Sequence, residues 1–416
     1  MSEYFDPLEA RDPSQREAAL MDALPRQVAH AQRNTAAFGA ILADVDAMAV
    51  TSRAALARLP VTRKNDLLER QKAERANDVF GGFSALVRGP QMPRVFASPG
   101  PIYEPEGSTP DYWRAARALF AAGFRAGDLV HNAFSYHMTP GAFIVESGAH
   151  AIGCSVFPAG TGQTEQQLQA IADLKPNAYL GTPSFLRILV EKAREAGSDI
   201  SSLKKALTSG EALPPSLRDW FSQEAGMDVY QSYATADLGL LAYETGARQG
   251  LVLNEGALVE IVRPGTGDPV PEGEVGELVV TTFNTAYPLI RFGTGDLSAM
   301  LSGPCPTGRT NARIKGWMGR ADQTTKIRGM FVHPGQVADI ARRFPEVLKA
   351  RLVVSGEMAN DVMTLMVEAA SAPQGLDARI GEAIRDVTKL RGDVQLMQPG
   401  TLPNDGKVIE DARSYK

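Results

Sequence analysis

Residues 108–228 alternate short apolar runs with amphipathic segments of helical length, and this alternation limits the fold more than any other feature of the chain. Residues 128–132, 153–158, 178–181, 203–208 and 227–230 read as strands. Segments 111–122, 164–174, 183–196 and 214–224 between them carry apolar residues at helical spacing. Thr182-Pro183 supplies an N-cap followed by a first-turn proline, and Gly197 stands where that helix should stop. Thr164 and Gln167 have the spacing of a capping box. Strands separated by helices of this length cannot close into hairpins with their immediate successors. They are expected to form a parallel or mostly parallel sheet covered on both faces.

The flanks follow other rhythms. The first ninety residues read as mainly helical, over 16–42, 51–59 and 62–78, with a strand candidate at 94–97. Beyond Leu240 strands take over: 257–262 and 274–282 suggest a smaller barrel or a second sheet. Strands at 348–355, 362–369 and 394–397 with a helix at 376–390 have the makings of a compact α+β domain. A chain of 416 residues exceeds what one core usually serves. The expected architecture is α/β: a large N-terminal domain, 1–321, with mostly parallel sheets plus a strand-rich subdomain. A small mobile α+β domain, 322–416, completes it.

Composition removes several classes of function. Two cysteines, Cys154 and Cys305, exclude a disulfide framework or a cysteine zinc cluster, and five histidines leave little room for a multi-histidine metal site. A net charge of −5 argues against nucleic acid as a partner but permits an anionic small ligand in a local positive site. Residues 1–19 are charged and lack an apolar signal core, and no run reaches the ~18 apolar residues of a spanning helix. A cytoplasmic protein without a membrane partner is expected.

Five polar segments stand out. Ser209-Gly210-Glu211 directly follows a strand, where open α/β sheets bind ligands; it also reads as a plain strand-to-helix turn. Residues 230–237, Tyr-Gln-Ser-Tyr-Ala-Thr-Ala-Asp, form an unusually polar and aromatic connection. Tyr233 can stack on a planar ligand and Asp237 can hold a hard cation beside phosphate, or the two can be a packed aromatic and a helix cap. In Arg291-Phe292-Gly293-Thr294-Gly295-Asp296 the carboxylate can accept two hydrogen bonds from a vicinal diol, with Arg291 on phosphate or holding Asp296. Gly319-Arg320-Ala321-Asp322, followed by Lys326-Ile327-Arg328-Gly329, lies where the α+β domain begins and reads as a hinge or a solvated linker. Near the chain end, Leu402-Pro403-Asn404-Asp405-Gly406-Lys407 presents a lysine on a Pro/Gly turn, able to meet phosphate or simply solvent.

Taken in order, these segments resemble the phenylacetate–CoA ligase branch of the adenylate-forming enzymes, over residues 94–407. The resemblance implies that Ser209, Gly210 and Glu211 line an adenine pocket. It implies that Tyr233 stacks near adenine, that Asp237 approaches Mg²⁺, and that Asp296 holds the ribose hydroxyls. Arg320 would contact the nucleotide, Asp322 would be the hinge of the small domain, and Lys407 the lysine needed for adenylation. Phe134, Tyr136 and His137 fall at the family's aromatic stretch near the acyl site. ATP, Mg²⁺ and coenzyme A are the implied cofactors and co-substrates, a small aromatic or arylacetic acid the implied substrate, and a homodimer the implied assembly.

One departure concerns the family's Ser/Thr/Gly-rich loop, which ends in Gly-Lys-Pro and embraces the β- and γ-phosphates of ATP. Here the segment 97–107 reads Ala-Ser-Pro-Gly-Pro-Ile-Tyr-Glu-Pro-Glu-Gly. Pro99, Pro101 and Pro105 have no N–H to offer, and Glu104 and Glu106 bring carboxylates where the family has a lysine. This segment is expected to contribute less to triphosphate binding than its counterparts. The implied reaction is acyl-adenylate formation followed by thioester formation on coenzyme A. An amine or carrier-thiol acceptor, or a non-catalytic nucleotide- or acyl-binding protein, are the alternatives.

Overall fold

A computed structural model describes residues 3–263, 265–318, 320–321, 325–328, 330–332, 334–356, 360–403 and 407–413. The chain divides into two compact units, Met1–Met318 and Gly319–Lys416. Among the described residues no helix is long and apolar enough to cross a membrane.

The larger unit is organised by a nine-stranded sheet. Its first half runs Ser155–Pro158, Leu129–Asn132, Ala178–Gly181, Lys205–Thr208, Asp228–Thr235, all parallel neighbours. The alternation read from residues 108–228 produces this half. The second half, Gly239–Glu244, Leu251–Leu253, Arg313–Ile314 and Met300–Leu301, is antiparallel. The change of sense occurs where Asp228–Thr235 meets Gly239–Glu244 through a turn too short for a crossover. Val130, Leu180 and Leu207 from the parallel strands pack with Trp113, Leu119, Phe124 and Val145 in one buried core.

Two helix expectations are corrected. The segment 111–122 is helical only from Ala116 to Ala121. Asp111 and Arg114 take left-handed φ angles of 46° and 62°, and the Asp111 carboxylate accepts from the N–H groups of Ala115 and Ala116, so the turn before the helix acts as its cap. Helix Thr164–Leu174 has no capping box, because Gln167 points elsewhere. Its amide donates to the carbonyls of Gly160 and Gly162 at 2.9 and 2.8 Å, and its Oε1 lies 2.8 Å from His131 Nε2. Helix Pro183–Ala196 is as read, with the Thr182 hydroxyl accepting from Phe185 N and Gly197 at φ 66° ending it.

The strand-rich region is a second sheet, ordered Thr62–Arg63, Phe292–Ser298, Gly276–Thr282, Ala257–Val262. Its Leu258, Val280 and Phe292 pack against Leu24, Val28, Phe38 and Leu56 of the N-terminal helices. Asp12 starts the longest of these, Pro13–Asn34, by accepting from Ser14 and Gln15 N–H, with Pro13 at the first turn.

Arg291 serves this sheet, and its guanidinium is taken up by Glu260 and backbone carbonyls rather than by Asp296. It is 1% exposed, and its guanidinium pairs with both oxygens of Glu260 at 3.0 and 3.1 Å. It also donates to the carbonyls of Ala57, Leu59 and Gly267. Arg291→Ala would strand a buried carboxylate and three buried carbonyls. It is expected to lower stability by roughly 3–5 kcal/mol, read as a shift in the urea midpoint; a loss below about 1 kcal/mol would contradict this account.

The smaller unit carries a four-stranded sheet ordered Asp393–Met397, Val362–Ala369, Val347–Ser355, Ile409–Asp411. Helices Pro334–Arg342 and Leu376–Thr388 accompany it, and Val337, Ile340, Val354, Leu365, Ile380 and Ile384 form its core. This is the α+β unit that the tail of the sequence implied.

Candidate active site

The parallel strands of the large unit end side by side, with Asn132 facing Leu180, Gly181 facing Thr208 and Thr208 facing Gln231. Segments leaving these ends form a polar rim where ligands of open α/β sheets bind. Ser209 is 9% exposed and its Oγ donates to Ser232 O at 2.9 Å, tying the first motif to the second. Gly210 takes φ 80°, a conformation that costs glycine little. Glu211 is exposed and accepts from Ser184 N at 3.3 Å.

The stretch 230–237 is not a connection, as its polarity suggested; the strand continues to Thr235. Continuation carries Tyr233 inward to 8% exposure, and its hydroxyl donates to Asp296 Oδ2 at 2.7 Å. The other oxygen of Asp296 accepts from Trp317 Nε1 at 3.0 Å. Asp296 lies on Phe292–Ser298, so this contact joins the two sheets of the unit.

A second link runs alongside. Strand Thr62–Arg63 pairs parallel with Phe292 and Gly293, which places the start of helix Lys64–Glu74 beside the segment bearing Asp296. Lys64 Nζ then reaches Asp237 Oδ2 at 2.9 Å. Asp237 has a 1% exposed side chain, and its Oδ1 is buried without a hydrogen-bond partner. Seven residues along the same helix, Gln71 bonds both backbone groups of Tyr103 at 2.8 Å. That clamp holds a hairpin, Arg94–Ser98 against Ile102–Glu106, turning at residues 99–101. The proline-rich segment is thus ordered strand rather than an open phosphate loop.

On this hairpin Glu104 is fully buried, and Ser98 Oγ donates to its carboxyl group. Burial first, and the neighbouring Asp237 second, push the Glu104 carboxyl up to about 8, against the opposing pull of Lys64 and Ser98. Tyr287, 2% exposed, is raised well above the ordinary phenol range by burial, then by Asp237 and Glu104. Its hydroxyl and Glu104 Oε2 are also buried without partners.

The aromatic stretch follows Leu129–Asn132, two strands away from Lys205–Thr208. Phe134 packs partly buried on the core, and His137 is exposed. The Tyr136 hydroxyl accepts from Asn132 Nδ2 at 2.9 Å and donates to Glu146. Burial first, then Glu146, hold this phenol above its usual range. A cavity of about 340 Å³ is lined by Arg94, Glu106, Tyr112, Phe143, Glu146 and His150. Its lining includes Glu146, the Tyr136 partner, but not Ser209, Tyr233, Asp237 or Asp296.

In the smaller unit Arg320 is half-buried and Lys407 exposed. Asp322, the expected hinge, lies outside the described residues. Sequence reasoning singled out Glu104 only as a departure of the proline-rich segment, and it missed Lys64, Tyr287 and Trp317 beside the candidate site residues. Lys64 sits at a helix start and Trp317 beside the Gly319 motif, signals too common to single out a residue.

Among the described residues no group of three or more His, Cys, Asp or Glu is placed to hold a metal ion. Asp237 nevertheless suits a hard cation that arrives with phosphate, because a buried carboxylate oxygen without a partner is an oxygen donor in need of one.

Comparisons with known proteins identify the family. Residues 116–286 match the AMP-binding enzyme family. Phenylacetate-coenzyme A ligase of Aromatoleum evansii is 33% identical, covering 88% of this chain and 84% of that protein. The same-named enzyme of Thermus thermophilus is 32% identical, covering 84% of each. The chain belongs to the phenylacetate–CoA ligase family of adenylate-forming enzymes. It is accordingly an AMP-forming acid–thiol ligase. A solved structure of 2-hydroxyisobutyryl-CoA ligase, with 2-HIB-AMP and CoA in the thioesterification state, superposes with a TM-score of 0.82. It is 25% identical, covering 100% of this chain and 93% of that one.

Proposed function

We propose that the protein activates a small aromatic or arylacetic carboxylic acid with ATP and passes the acyl group to coenzyme A, releasing AMP and pyrophosphate. The observation that carries this reading is the pair of contacts at the sheet ends: Tyr233 bonded to Asp296, and Lys64 bonded to Asp237. A diol acceptor, an aromatic face and a buried carboxylate at one edge suit ribose, base and a phosphate-borne cation.

In the first step a carboxylate oxygen of the acid attacks the α-phosphorus, the bond to the β-phosphate bridging oxygen breaks, and pyrophosphate leaves. Asp296 holds the ribose hydroxyls, the Tyr233 ring and Ser209–Glu211 bracket the base, and Arg320 adds a nucleotide contact. Lys407, carried by the smaller unit, offsets negative charge that grows on the α-phosphate oxygens. Mg²⁺, when bound with ATP through Asp237, supplies charge neutralisation of the pyrophosphate. In the second step the thiol of coenzyme A attacks the acyl carbonyl, and AMP departs. Phe134, Tyr136 and His137 shape the acyl end.

The aromatic acid is favoured by relatives named for phenylacetate at 30–33% identity. A branched 2-hydroxy acid is the second reading, favoured by the structural neighbour that covers the whole chain. A panel of both acid classes, assayed for pyrophosphate release and then for the thioester by mass spectrometry, separates them. Arylacetic acids are expected to turn over fastest. Adenylate formation without thioester would move the acceptor to an amine or carrier thiol. Nucleotide binding with no pyrophosphate released by any acid would leave a binding protein.

A further inference from the structure

Three carboxylates line the cavity beside the aromatic stretch: Glu106, Asp111 and Glu146. Glu106 is fully engaged, one oxygen accepting from Arg94 at 2.9 Å and the other from Trp113 Nε1 at 3.1 Å. Asp111 is engaged too, both its oxygens accepting from the N–H groups of Ala115 and Ala116. Glu146 differs. Its Oε2 accepts from the Tyr136 hydroxyl, while its Oε1 has no partner among the described residues. Of the three, only Glu146 keeps an acceptor for a molecule that enters.

Tyr136 stands between this cavity and the strand ends. Asn132, the last residue of strand Leu129–Asn132, donates to its hydroxyl at 2.9 Å. On the other side its ring meets Phe143 edge-on, with centroids 5.2 Å apart. Phe143 lines the cavity and packs against Phe96, and Glu146 lies three residues further along helix Gly141–Ile152, hence on the same face. A ring laid against Tyr136 and Phe143, its carboxyl toward the strand ends, reaches Glu146 with its far end. At about 340 Å³ the cavity is of small-molecule size. Tyr136 already gives its one proton to Glu146, so the pair offers a ligand acceptors only. The ligand must bring the donor. A neutral donor fits better than a cation, because Arg94 already holds the cationic position over the Phe143 ring, 4.6 Å from its centroid.

We propose that Glu146 is a specificity-determining residue, whose Oε1 accepts a hydrogen bond from a hydroxyl on the ring of the acid, so that the substrates are hydroxylated arylacetic acids. This narrows the ligase reading and rests on it. The discrimination comes from an asymmetry in desolvation. A ring hydroxyl gives up water on entry and gains a bond to a carboxylate. An unsubstituted ring displaces the same water from Glu146 and returns nothing to it.

The test compares kcat/KM for pyrophosphate release with meta- and para-hydroxyphenylacetate against phenylacetate, on the full-length protein. Wild type is expected to prefer one of the hydroxylated acids by at least about tenfold, the scale of one hydrogen bond to a charged group. Glu146→Leu should abolish that preference, with circular dichroism showing the fold retained. A wild type that does not prefer a hydroxylated acid, or a preference unchanged in Glu146→Leu, overturns the proposal. Crystals of wild type with the preferred acid need no variant. They should place its hydroxyl about 3 Å from Glu146 Oε1, and a hydroxyl bonded elsewhere overturns the assignment. Isothermal titration of the same acids reads the preference without turnover. Glu146-dependent binding of a hydroxylated acid in a protein that releases no pyrophosphate sinks the ligase reading and spares the role of Glu146. An active ligase whose preference ignores Glu146→Leu does the reverse.

Discussion

Lys407→Ala is expected to lower acyl-adenylate formation by about 10²–10³-fold, the scale on which a single charge-stabilising donor acts in a transition state. Thioester formation from acyl-adenylate supplied ready-made should stay largely intact, because no charge then accumulates on an α-phosphate under attack. Lys407 is an exposed side chain of the smaller unit, two residues before strand Ile409–Asp411. Its removal should therefore change stability by no more than about 0.5 kcal/mol. The asymmetry is what identifies a catalytic lysine, since a solvated one leaves both half-reactions alone. The two steps are measured separately, pyrophosphate release for the first and thioester appearance for the second. Equal first-step rates in wild type and variant would remove Lys407 from the chemistry.

Asp296→Ala should weaken ATP and AMP binding by on the order of a hundredfold or more. Two charge-assisted hydrogen bonds to ribose hydroxyls, at roughly 1.5–3 kcal/mol each, set that scale. In the structure both carboxylate oxygens already accept, from Tyr233 and from Trp317. The ribose must share or replace these donors, so nucleotide binding should also shift the fluorescence of Trp317, and Trp317→Phe should abolish that shift. Tyr233→Phe removes one donor to the carboxylate and should change affinity far less than the loss of the carboxylate. Isothermal titration with AMP checks the order of the variants. Affinity unchanged in Asp296→Ala would disconnect this turn from the nucleotide.

Local patterns made much of the fold legible. The parallel half of the large sheet follows from apolar runs spaced by helices, and the α+β tail from the same kind of reading, because period and capping residues act within a few positions. Strand-end motifs could be found for a related reason: polar residues just past a buried strand have few structural uses. Where the reading failed, the deciding contact was distant. Lys64 and Asp237 are 173 positions apart, and Tyr233 and Asp296 are 63 apart. Arg291 invited a phosphate role because it adjoins a glycine-rich turn, yet its partner Glu260 stands 31 positions earlier on another strand. Gln167 matched a capping box in spacing, but buried carbonyls at Gly160 and Gly162 claimed its amide.

By itself, then, the order of residues determined where most strands and helices lie and that a parallel sheet organises the large unit. These depend on periodicity, turn residues and caps, all short-range. Tertiary structure decided which charges are paired and which are stranded. The proline-rich segment is a paired hairpin that Gln71 clamps at Tyr103 across 32 positions, and packing of that hairpin buries Glu104. Burial sets the energy of a carboxylate, and burial is a property of what the rest of the chain packs against it, which no local pattern contains.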